Sequence, residues 1–231
     1  MARQAKGKRR RKGRLRRKRS KEAAGALAVR RPGDRLSVDV RALELACGHD
    51  GFLRGEPEPV LVVGAYALAA DGCRVLGRAV VRLQRPTGYP CTVAPRGAST
   101  LEHVMPPEIT GATVAVLVVA IEEDSGRGVQ AIYAALERAA HLLVWATGAE
   151  VPVLARIDEL LAGDLAPWLP GQPVRLMLEG TDASELARGD DWVAAALVAF
   201  DRTGRHHDER RLPLCSDDGR NDWTAVLELR A

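Results

Sequence analysis

A chain of 231 residues that is 46% apolar has material for one good-sized domain or two small ones. Aromatics are only 4%, so Ala, Val and Leu must fill the core, and no apolar run reaches the 18 residues that a membrane-spanning helix needs. The net charge of +4 hides an asymmetry: of the 34 Lys and Arg, 13 fall in residues 1–21 with none of the 30 acids, which leaves 21 bases against 30 acids and a net −9 in the remainder.

Residues 1–34 have nothing to pack. Lys8, Arg9, Arg10, Arg11 and Lys12 form one block of like charge, and Arg14, Arg16, Arg17, Lys18 and Arg19 form a second. Such blocks repel each other and are expected to be disordered. They attract a polyanion by releasing its counterions, so these ten residues are the candidate nucleic-acid-binding set, for RNA or DNA, without sequence preference. No aromatic lies among them to stack on a base. The body, after Lys21, uses arginine alone. In a cell with a nucleus the basic blocks double as a nuclear or nucleolar address; otherwise a cytoplasmic place is expected. An anionic membrane surface is the competing polyanion. The basic start has no apolar segment after it of the kind a secretory signal carries, so an intracellular, reducing compartment is expected. There Cys47, Cys73, Cys91 and Cys215, with no CxxC spacing, would be free thiols.

From Leu36 to Leu45 apolar and polar residues alternate, the pattern of a half-buried strand. Glu58 to Leu83 is an apolar run, Asp71-Gly72, and a second run, which reads as a β-hairpin turning at Asp-Gly. Residues 86–111 carry prolines at 86, 90, 95, 106 and 107 and are expected to be irregular. Thr113 to Ile121 is a continuous β-branched run, expected as a central strand buried on both faces. A helix is expected next, capped by Asp124 or Ser125, with Val129, Ile132, Tyr133, Leu136, Ala140 and Leu143 on one stripe and Thr147-Gly148 at its end. A second, short helix is expected over 153–161. Val174 to Leu178 reads as a strand, and Asp191 to Leu214 as a second hairpin turning at Asp201 to Gly204. Trp223 to Leu229 is the closing strand.

These elements predict a mainly β fold: an antiparallel β-sandwich of about eight strands over residues 35–231, with a two-helix insertion at about 125–163, preceded by the basic tail of residues 1–34. Carboxylates fall at strand ends: Asp71, Glu122 to Asp124, Asp201, and Asp217-Asp218. Gathered at one end of a sandwich they would offer oxygens to calcium. In architecture this resembles the lipid-binding C2 domains, which implies a peripheral membrane module as the alternative function. Asp and Gly are also what tight turns require. Cys47, His49, His206, His207 and Cys215 are possible soft ligands without a zinc-finger spacing. Cys91 with His103, in the proline-rich stretch, is the one nucleophile–base pair to test for a hydrolase. Gly126-Arg-Gly128 lacks the lysine of a phosphate loop. The leading expectation is a non-enzymatic binding or structural protein. Its tail holds nucleic acid and its acidic body contacts a protein partner or further copies of itself, with no catalytic residue, metal or cofactor.

Overall fold

The computed structural model describes residues 35–48, 57–69, 72–104, 113–138, 143–146, 150–152, 175–178, 181–182, 185, 189–201 and 209–230. The protein is mainly β, and every strand pair among the described residues is antiparallel. The ten tail cations named above, and the second helix expected at 153–161, lie outside the described residues.

One sheet holds β1 (Arg35–Cys47), β4 (Cys91–Val93), β5 (Thr100–Val104), β12 (Glu209–Cys215) and β13 (Asp222–Arg230). Its order is β12-β13-β1-β4, with β5 lying beside β1 as well. A second sheet is ordered β11-β6-β2-β3, from β2 (Pro59–Ala69), β3 (Gly72–Arg82), β6 (Thr113–Glu122) and β11 (Asp191–Asp201). A third, small sheet joins β7 (Leu143–Ala146), β8 (Glu150–Pro152), β9 (Arg175–Leu178) and β10 (Thr181–Asp182). Among the described residues there is one helix of more than a single residue, α1 (Arg127–Arg138).

The period-2 pattern explains the layers. On β2, Leu61, Val63, Ala65 and Ala67 point to one side; on β6, Val116, Val118 and Ala120 do the same. They meet Val38, Val40, Leu43 and Leu45 of β1 and Trp223, Ala225, Leu227 and Leu229 of β13 in one apolar cluster. The two larger sheets therefore share a core. The opposite face of the second sheet presents Val60, Val62, Tyr66, Leu117, Val119 and Ile121, which α1 covers with Val129, Ile132, Ala135 and Leu136. That is why Ala115 to Ile121 is buried throughout, as its unbroken apolar run predicts.

Two bulges keep the faces in phase. On β3 the register shifts so that Ala65 pairs with Gly77 and Tyr66 with Val75, and the extra residue, Leu76, stays on the shared core. On β11 the shift between Trp192 and Ala194 lets Val193 and Ala194 both face that core. Gly64 has a different task. A Cβ there would sit 2.6 Å from the Tyr66 hydroxyl, which donates a hydrogen bond to the Leu136 carbonyl at 3.2 Å. The missing side chain makes room for the ring that ties α1 to β2.

Several expectations are corrected. The first hairpin closes with Ala69 opposite Gly72, one residue earlier than a turn centred on Asp71-Gly72. The helix ends at Arg138, and Leu143 to Ala146 is a strand paired with β9, so Leu143 belongs to a sheet and not to the helical stripe. Its neighbours Val144 and Trp145 are β-formers, and strand pairing outweighs the continuing helical spacing. The proline-rich stretch is not irregular throughout: it supplies β4 and β5, each laid on the edge of β1. The second hairpin is not a hairpin. Strand β11 pairs with β6 and β12 pairs with β13, so the chain changes sheet between Asp201 and Glu209. The hairpin at that end of the chain is β12–β13, with Cys215 opposite Asp222.

Candidate functional site

A dense set of polar contacts lies where β6 ends and α1 begins. Glu122, the last residue of β6, pairs with Pro59 on one side and with Asp191 on the other. Three strand ends, a helix start and the segment returning from the small sheet therefore meet there. The chain turns at Gly126 with φ of +70°, a conformation in which a side chain is strained, and a Cβ would also meet the Glu123 carboxylate at 2.9 Å.

Asp190 organises this turn. It is 4% exposed, and its two oxygens accept five backbone N–H bonds. Oδ1 takes those of Asp124 at 3.0 Å, Ser125 at 2.5 Å and Gly126 at 3.1 Å. Oδ2 takes those of Gly128 at 2.8 Å and Val129 at 3.3 Å. Gly128 and Val129 are donors that a helix start leaves unmatched, the other three belong to the turn leading into it, and a carboxylate there also answers the positive end of the helix dipole. Burial pushes the Asp190 carboxyl up, but the N–H groups of Ser125, Val129 and Gly128 outweigh it and hold the carboxyl below its ordinary value. Of the local caps that the sequence suggests, the Ser125 hydroxyl accepts the Arg127 N–H at 3.3 Å.

Around this cap the charges pair. Arg82 donates two bonds to Glu123, at 2.8 and 2.5 Å, and the accepting carboxylate raises the guanidinium's already high value. Arg85 pairs with Glu58, whose N–H donates to Glu122 Oε1 at 3.2 Å. Glu122 is buried, and one oxygen each of Glu122, Asp124 and Asp191 lie within 4.8 Å of one another. In donor type and spacing these three are the described residues able to approach a hard cation together. Glu122 and Asp124 belong to the set the sequence suggested, and Asp191 is new to it. Asp201 pairs with Thr113, at the opposite end of β6 from Glu122, so it cannot join them. Asp217 and Asp218 sit in the β12–β13 turn of the other sheet, and Asp71 lies outside the described residues. Asp218 closes its own turn by accepting from the Ser216 hydroxyl at 2.7 Å and the Arg220 N–H at 3.0 Å.

The Cys91–His103 pair does not form. Cys91 is opposite Leu45 and His103 opposite Leu36, nine positions apart along β1. At about 3.3 Å per residue that is about 30 Å, ten times the reach of a nucleophile–base hydrogen bond. Cys47 and Cys215 do come into one row, on the strands flanking β13 and both opposite Asp222. Cys215 donates to Asp222 Oδ1 at 3.1 Å, and Cys47 donates to the Arg220 carbonyl at 3.4 Å. Two interstrand steps set their backbones roughly 9–10 Å apart. A zinc ion needs both thiolates at about 2.3 Å, so the row spreads these thiols across a carboxylate and does not close them on one ion. His49, His206 and His207 lie outside the described residues. Burial, then Asp222, push the Cys215 thiol up to about 11.

Asp190 is the residue that the sequence reading passed over. Its only local signal is a buried-strand pattern that starts after two acids, Asp190-Asp191, where one would serve as a turn residue. No protein-family model matches this chain, and a search of curated proteins returns no relative.

Proposed function

We propose that this is a non-enzymatic binding protein whose basic N-terminal segment holds nucleic acid without sequence preference while its β-rich body makes protein contacts. The observation that carries this reading is the charge distribution: 13 Lys and Arg and no acid in residues 1–21, against a remainder of net −9. A polyanion is the partner that such a segment binds most strongly, because each neutralised phosphate releases a counterion. The acidic remainder would be repelled by the same polyanion, which leaves it facing solvent or protein. We read the two larger sheets, which share one apolar core, as a β-sandwich that serves as the contact-making wall or scaffold. The place this implies is inside the cell, and in the nucleus or nucleolus where there is one.

The test is a titration of the full chain into a labelled RNA and a duplex DNA at 50 and 200 mM salt. It is compared with a chain in which Lys8 to Lys12, Arg14 and Arg16 to Arg19 are changed to Gln. If about six cations engage duplex phosphates, affinity should fall about 1,000-fold between the two salt concentrations, and the substituted chain should lose most of both the affinity and the slope. Light scattering on the complexes separates large particles, which would mark a coat subunit, from a small adaptor complex. Equal binding by both chains, or binding by neither, refutes the reading. Preference of the native chain for phosphatidylserine vesicles over both nucleic acids would also refute it and point to a membrane surface.

A further inference from the structure

We propose that Asp190 is a latch, and that α1 with its leading turn opens from the second sheet as a unit of its own before the rest of the fold comes apart. Three observations carry this. First, the core is divided: the residues α1 covers form a cluster distinct from the one the two larger sheets share, and no α1 residue belongs to the shared cluster. Lifting α1 therefore breaks no contact between the sheets. Second, among the described residues the polar ties that hold the α1 layer, beyond backbone pairing within the sheets, run through a small set of side chains. These are the five N–H bonds to Asp190, the two bonds of Arg82 to Glu123 at the start of the leading turn, the Tyr66 hydroxyl to the Leu136 carbonyl, and Arg78. Arg78 lies over the Tyr133 ring at 4.2 Å, pairs with Glu137 at 2.8 Å, and also donates to the Tyr133 carbonyl. Third, Asp190 joins segments 61–66 residues apart in sequence, so the latch is a tertiary contact that no local propensity restores once it opens. It sits immediately before Asp191, which pairs with Glu122, so the latch closes where the excursion leaves and rejoins the sheet. Opening bares the face formed by Val62, Tyr66, Leu117, Val119 and Ile121.

Cooperative units of this kind are read by native-state hydrogen exchange, in which each amide reports the smallest opening that frees it. The full chain is followed at low urea concentrations. Amides of Ala131 to Leu136 should exchange through an opening of lower free energy and shallower urea dependence than those of Leu61 to Val63 and Val116 to Ala120. Val38→Ala, in the shared core and away from α1, should lower the protection of the sheet amides and leave the α1 amides unchanged. Asp190→Asn should lower α1 protection by at least about 30-fold. Where α1 and sheet amides exchange with one free energy and one urea slope, or where Val38→Ala lowers both sets alike, there is no separate unit and the inference fails. The wild-type and Val38→Ala measurements decide this even if Asp190→Asn does not fold.

Discussion

Replacing Asp190 by Asn keeps the shape of the side chain and removes one acceptor oxygen and the charge. The less costly orientation leaves the remaining oxygen on the N–H groups of Asp124, Ser125 and Gly126 and turns the new amide toward those of Gly128 and Val129. Two donors, one of them on the wholly buried Val129, then face another donor. A buried donor left without its acceptor costs about 1–3 kcal/mol, and losing a carboxylate at a helix start adds about 0.5–1 kcal/mol. For two donors and the charge the expected loss is about 2.5–7 kcal/mol, a large share of the stability of an ordinary domain. Denaturant unfolding at pH 7 measures it as a lower midpoint. The pH dependence follows in sign. The folded carboxyl is held below its ordinary value, so its stabilisation is complete above the unfolded value near 3.9 and is lost as pH falls through the lowered folded value. The gap between native and Asn chains should therefore narrow only in strong acid. A loss below about 1 kcal/mol at pH 7 would refute the view of Asp190 as the principal cap of α1.

Arg78→Met should cost about 1–2 kcal/mol in the same unfolding assay. It removes the stacking on Tyr133 and the bond to the Tyr133 carbonyl, and the pair with Glu137, which is mostly exposed, adds little. Lys at that position should recover only part, because an ammonium lacks the planar fork. Cys215 is exposed yet, with its thiol pushed up to about 11, should react with a disulfide reagent at pH 8 about 100-fold more slowly than an unperturbed thiol. Asp222→Asn should speed that reaction, and no change on substitution would refute the role of Asp222. Trp223 is wholly buried, and its indole N–H has no hydrogen-bond partner among the described residues. Trp223→Phe should therefore cost only about 1–2 kcal/mol in denaturant unfolding, because the smaller ring leaves a cavity but strands no acceptor; Trp223→Ala should cost about 3–5 kcal/mol.

Features that depend on near neighbours were legible in the residues. The 3.6 period of Val129, Ile132 and Leu136 marked the helix, and the unbroken run from Thr113 to Ile121 marked the central strand, because burial on a regular element repeats with the element's own period. The first hairpin was legible because its strands are joined by a tight turn. The pairings between distant segments came from the folded chain as a whole. Asp201 to Gly204 carries the residues of a turn, but β11 was taken by β6 and β12 by β13, since apolar faces of the whole sheets, and not the residues between them, choose the partner. Leu143 kept the helical spacing and was claimed by β9. Cys91 and His103, twelve residues apart in the chain, were separated by being laid at two ends of one strand. Asp190 is the clearest case: a helix start accepts whichever carboxylate reaches it, and the one that does is more than sixty residues away, brought there by the pairing of Asp191 with Glu122.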